Sequence, residues 1–115
     1  MTTTQILYVS LKSQMNQKFY ILIIIRIPST LSHILLLKLT KVPDQIRIKI
    51  YTVAGRLVRE INVYRDQLNF DFNRIFWDGR DEDGDLLANG VYIYKIISED
   101  AGDKVTITNK LAIVR

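Results

Sequence analysis

Four aspartates and one glutamate fall within the eight residues 78–85, as Asp78, Asp81, Glu82, Asp83 and Asp85. Carboxylates at that density permit three kinds of chemistry: ligation of a hard cation, general acid–base work, or backbone capping in a turn. Asp81, Asp83 and Asp85 place oxygens at alternate positions, as calcium loops do. A calcium helix–loop–helix also needs Gly at loop position six and a bidentate Glu at position twelve. Counted from Asp81, these positions fall on Leu86 and Tyr92, so that motif fails. A looser calcium site on the three aspartates stays open. Paired carboxylates also serve hydrolysis, but here they sit on a hydrated turn with nothing to desolvate an acid. The structural alternative is stronger. Asp side chains accept hydrogen bonds from nearby backbone N–H groups, and Gly79 and Gly84 suit turns. One turn then spans 81–85, and a second, 88–90, leads into Val91. Arg80 is expected to pair with a neighbouring carboxylate, an exposed contact contributing about 0–1 kcal/mol.

Little else in the chain points to catalysis. There is no Cys, and His33 is the sole His, which excludes a multi-His zinc centre and a thiolate nucleophile. Glycine-rich phosphate loops are absent. No enzymatic activity and no cofactor are expected. The 16 basic and 12 acidic residues give a net charge of +4. The excess lies entirely in residues 1–43, which hold five cations and no carboxylate. No Lys/Arg cluster stands on one predicted element, so nucleic acid is not an expected partner.

The elements that position the acidic turn are strands. Ile46, Ile48 and Ile50 alternate with Arg47, Lys49 and Tyr51, the pattern of a half-buried strand. Gly55 then supplies a tight hairpin turn. A return strand follows over 56–64, its alternation blurred where Leu57 and Val58 adjoin. Residues 65–73 read as polar and turn-rich, with Leu68, Phe70 and Phe72 at period two. A short strand over 74–77 ends in Trp77, expected to be buried with its N–H satisfied. Residues 91–98 read as a central strand with Tyr92, Tyr94 and Ile96 on one face. Gly102 tips a hairpin loop, and 105–115 close the chain with a bulge expected at Asn109–Lys110. Five short strands with turns between them make an all-β chain, read as an antiparallel β-sandwich.

A complete sandwich needs one or two more strands before Val42, so residues 1–41 either supply them or leave the domain incomplete at its N-terminal side. This segment is apolar and basic. Its continuous apolar run, 19–25, is far shorter than the ~20 residues of a membrane-crossing helix. It resembles a signal peptide in length but lacks a small-residue cleavage site. Three readings stand open: a membrane-directing segment, a buried strand, or a displaced reading frame in which about the first 37 residues carry no evolved function. No transmembrane helix is expected. The chain divides on this reading into an atypical segment, 1–41, and a sandwich module, 42–115.

The stretches 48–61, 77–96 (WDGRDEDGDLLANGVYIYKI) and 110–115 (KLAIVR) resemble the immunoglobulin-like C-terminal module of bacterial secreted proteins. That family includes the sorting domains of the type IX secretion system and the similar domain of the flagellar hook-capping protein. A narrower resemblance is to the tail of the C25-type cysteine peptidase that serves as that system's sortase. The match covers about 42–115 and lacks the Tyr-Pro-Asn-Pro-Phe strand with which members usually open. It implies an immunoglobulin-like sandwich without catalytic residues. Gly55, Trp77, Asp78, Gly79, Asp81, Gly84, Gly90 and Tyr92 then match positions that shape turns and core. Lys110, Leu111, Ala112, Ile113, Val114 and Arg115 form the tail read by the export machinery. The implied partners are secretion or outer-membrane proteins and an upstream effector domain, and the implied location is secreted or on the cell surface. A structural spacer without a sorting role is the runner-up, and a fragment of a secreted cysteine peptidase a further alternative.

Overall fold

Alternation of apolar and polar side chains governs the architecture, because successive residues of a strand face opposite sides of its sheet. The computed structural model describes residues 5–11, 19–27, 32–39 and 42–113. Eight strands lie among them: β1 (Gln5–Leu11), β2 (Phe19–Ile27), β3 (Ser32–Leu39), β4 (Gln45–Thr52), β5 (Leu57–Tyr64), β6 (Asp71–Trp77), β7 (Gly90–Asp100) and β8 (Asp103–Ile113). They form two four-stranded antiparallel sheets, ordered β1-β2-β3-β6 and β5-β4-β7-β8. One core joins them. Leu35, Leu37 and Leu39 of β3 and Ile75 and Trp77 of β6 share it with Ile46, Ile48 and Ile50 of β4 and Tyr94 and Ile96 of β7. The fold is an all-β sandwich. Residues before Val42 supply the strands that complete the second sheet, with β3 pairing β6 from His33↔Trp77 to Leu39↔Asp71.

The β4–β5 connection depends on Gly55, whose φ is +97°. Its N–H donates to Thr52 O at 2.9 Å, and Thr52 N–H to Arg56 O at 2.9 Å. A Cβ placed on Gly55 meets no atom within 4 Å. The constraint is therefore the backbone conformation, which a β-branched residue resists. Gly55→Val is expected to destabilise the domain by about 1–3 kcal/mol, read as a lower Tm. An unchanged Tm would show that the turn does not need glycine.

The blurred alternation of β5 has a cause. Ile50 pairs Arg59 and Tyr51 pairs Leu57, so Val58 is an extra residue in the ladder. The bulge turns Val58 into the core and leaves Leu57 exposed.

Two sequence expectations are corrected. The β7–β8 ladder runs without a register shift from Asp100↔Asp103 to Gly90↔Ile113, so no bulge occurs at Asn109–Lys110. Asn109 Oδ1 instead accepts the Lys110 N–H at 2.9 Å, which uses the polar side chain locally without an added residue. The strand ending in Trp77 begins at Asp71, three residues earlier than the sequence suggested. Before it lie one turn of 3-10 helix, Arg65–Gln67, and a loop held by Asn73. The buried Asn73 amide accepts Asn69 N–H at 2.6 Å and donates to Asn69 O at 2.8 Å.

Candidate functional site

The turn from Trp77 to Gly90 is built around one carbonyl. Trp77 is buried in the core, and its Nε1–H donates to Arg80 O at 3.0 Å. Arg59, reaching from β5, donates to the same oxygen at 3.1 Å and to Asp78 Oδ1 at 3.3 Å. Asp78 Oδ1 also accepts the Arg80 N–H at 3.1 Å. Asp81 caps the next turn: its Oδ1 accepts N–H groups of Asp83 and Asp85, each at 2.9 Å. Gly79 and Gly84 take positive φ angles of 75° and 89°. Leu87 N–H closes on Gly79 O at 3.0 Å, which places Leu87 in the core. The Tyr92 hydroxyl donates to Ala88 O at 2.8 Å and ties the second turn to β7.

Trp77, Asp78, Gly79, Asp81 and Gly84 are thus gathered in one hydrogen-bonded turn. Gly90 and Tyr92 anchor its exit, and Gly55 belongs to the separate β4–β5 turn. Among the described residues, no group of three or more acidic or His side chains is arranged to hold a metal ion. One oxygen of Asp81 is already engaged by two amides. What this arrangement does chemically is fix a loop. Arg80, expected to meet a carboxylate, donates to Gly84 O at 2.8 Å. Arg59 is the cation that meets Asp78. No sequence spacing reveals that pair, because it bridges two sheets. The turn is also laced to the edge of β5. Glu82 N–H donates to Val58 O at 2.9 Å, and Glu82 Oε1 accepts Glu60 N–H at 2.8 Å.

The other candidate, the tail, lies on β8. Among the described residues this strand is hydrogen-bonded to β7 alone, and β1 comes near it without joining its ladder. Leu111 and Ile113 face the core, while Lys110 and Ala112 are exposed. Val114 and Arg115 lie outside the described residues.

Ion pairs cluster at one end of the β5-β4-β7-β8 sheet. Arg65 donates to Asp44 and, at 3.2 Å, to the buried Asp100, while Asp44 Oδ2 accepts Ala101 N–H at 3.0 Å. Arg47 of β4 donates to Glu99 of β7. That bond is the largest cause holding the Glu99 carboxyl below its ordinary 4.5; burial opposes it, and the charges of Arg47 and Lys104 add to it. A carboxylate depressed in the folded state stabilises above its unfolded pKa, and that stabilisation is lost as pH falls through the folded pKa. Glu99→Gln is therefore expected to lower Tm at neutral pH. The gap from the parent should close below pH 4.5. A gap that persists in strong acid would show that the pair does not set this dependence.

Fold and turn together define a class: an all-β sandwich of two four-stranded antiparallel sheets. A solved structure carries that statement. The chain is similar to FlgD from P. aeruginosa, known from its crystal structure, with a TM-score of 0.58 and 21% identity. The likeness covers 70% of this chain and 61% of that one, so the chain spans under two thirds of that protein's length. At this identity the likeness concerns the fold. No family model matches the chain, and no curated protein sequence matches it. Among the described residues, no helix is long and apolar enough to cross a membrane.

Proposed function

We propose that the chain is a non-catalytic sorting or surface-attachment module of a secreted bacterial protein. It is carried behind an effector domain and read by the type IX export machinery. The observation that carries this reading is the open edge of β8. Its inner residues Leu111 and Ile113 are fixed in the core, while the strand's other side has no ladder partner among the described residues. Such an edge can be read by strand addition, where main-chain hydrogen bonds give affinity and alternate side chains give specificity. Asn109 covers one amide of this strand, that of Lys110, and so limits indiscriminate pairing.

The test is a reporter fused ahead of the module in a bacterium with a working type IX system. The expected result is a reporter at the cell surface, retained in the periplasm once residues 110–115 are removed. Export that ignores the module would favour a structural spacer. That second reading is supported by the use of the acidic turn for loop-building, with Asp81 engaged by backbone amides. A spacer tolerates a further domain fused after residue 115, whereas a sorting tail does not.

A further inference from the structure

A cleft of ≈ 560 Å³ opens where residues 61–63 and 72–75 face each other. There β5 and β6 are the edge strands of their sheets among the described residues. The acidic turn bonds to the edge of β5 at Val58 and Glu60. Beyond that point the two edges flank the cleft. Protein edges are usually guarded by bulges, prolines or charges. β6 carries no proline, and its ladder with β3 runs without a register shift. Its outward row is Phe72, Arg74 and Phe76, with the two rings 51% and 63% exposed. Arg74 makes no ion pair among the described residues. Ile34 and Leu36 of β3, opposite Phe76 and Arg74, extend the apolar face.

The geometry points to β6 as a docking edge for an extended segment of a partner protein with the pattern apolar–x–acidic–x–apolar. Residues directly opposite on neighbouring strands share a face and touch. An added strand therefore sets its first and fifth positions against the two phenylalanines and its third against Arg74. The pattern reads the same in both directions, so it holds for parallel or antiparallel addition. A second copy of this chain fits less well. Pairing that sets Phe72 of one copy against Phe76 of the other also sets Arg74 against Arg74, and like charges directly opposite repel. This edge belongs to the other sheet from β8 and does not rest on the sorting reading.

The test uses the full chain and two fluorescein-labelled heptapeptides, Thr-Val-Thr-Glu-Thr-Val-Thr and the same peptide with Lys for Glu. Anisotropy titrations are run against the parent and Arg74→Glu, with circular dichroism confirming that the variant folds. The parent is expected to bind the Glu peptide about fivefold more tightly than the Lys peptide. Arg74→Glu is expected to reverse that order. A Glu peptide with proline at the position before Glu should bind more weakly, since it lacks a ladder donor. Equal affinity for both peptides, or no saturable binding, overturns the proposal. So does concentration-dependent dimerisation that depends on Arg74 without peptide binding, which would make a second copy the occupant.

Discussion

Trp77→Ala is expected to remove a large share of the stability of this domain. The indole is 1% exposed and stands first among the fully buried side chains by volume. Truncating a buried Trp costs about 3–5 kcal/mol, because transfer and cavity terms add. A domain of this size is stable by about 5–15 kcal/mol in total. The substitution also deletes the N–H that holds Arg80 O, the acceptor on which the acidic turn is built. Urea unfolding followed by far-UV circular dichroism is the measurement, since the fluorophore is lost. Trp77→Phe separates the two contributions. It keeps most of the packing and loses the hydrogen bond, and Arg59 still satisfies Arg80 O. Its cost is therefore expected near 1–2 kcal/mol. A cost under about 1 kcal/mol for Trp77→Ala would show that the indole does not pack in the core.

Removing residues 1–41 is expected to abolish cooperative unfolding. The truncation takes away β3, the sheet partner of β6. It also takes away Leu35, Leu37 and Leu39, which are 2%, 0% and 1% exposed. Each buried Leu contributes about 1.5–3 kcal/mol. Three together approach the whole stability of a small domain. Thermal melting of 42–115 should be broad, and the protein should bind a hydrophobic dye. A truncated chain that melts cooperatively at the parent's Tm would remove β3 from the fold and favour the displaced-frame reading of the segment.

The regular part of the sandwich is legible in the sequence wherever one face of a strand is polar. Ile46, Ile48 and Ile50 against Arg47 and Lys49 announce both the strand and its inner side. The β3 segment does not, because Ile34 through Leu37 are apolar at every position. Leu35 and Leu37 face the core while Ile34 and Leu36 are half-buried on the outside. Period two alone also fails to say which side is inside: Phe70 and Phe72 are large and aromatic, yet both are exposed. The turn was readable in Asp81, Gly79 and Gly84, since capping needs only local spacing. The cation serving Asp78 was not, because Arg59 arrives from the opposite sheet. The bulge was hinted at by the adjacent Leu57 and Val58, whereas Asn109 and Lys110 gave the same hint without one.

The strand order has a consequence in time. β4 lies opposite β7, from Gln45↔Glu99 to Thr52↔Tyr92. Between them the chain must complete β5 and send β6 into the other sheet. Non-local pairing of this kind places folding in the slow range, milliseconds to seconds. Synthesis at about 5–20 residues per second adds several seconds between the appearance of β4 and that of its second neighbour. Throughout that interval one side of β4 is an unfilled ladder, open to any other strand edge until β7 emerges, so its correct pairing is decided by rate rather than by equilibrium.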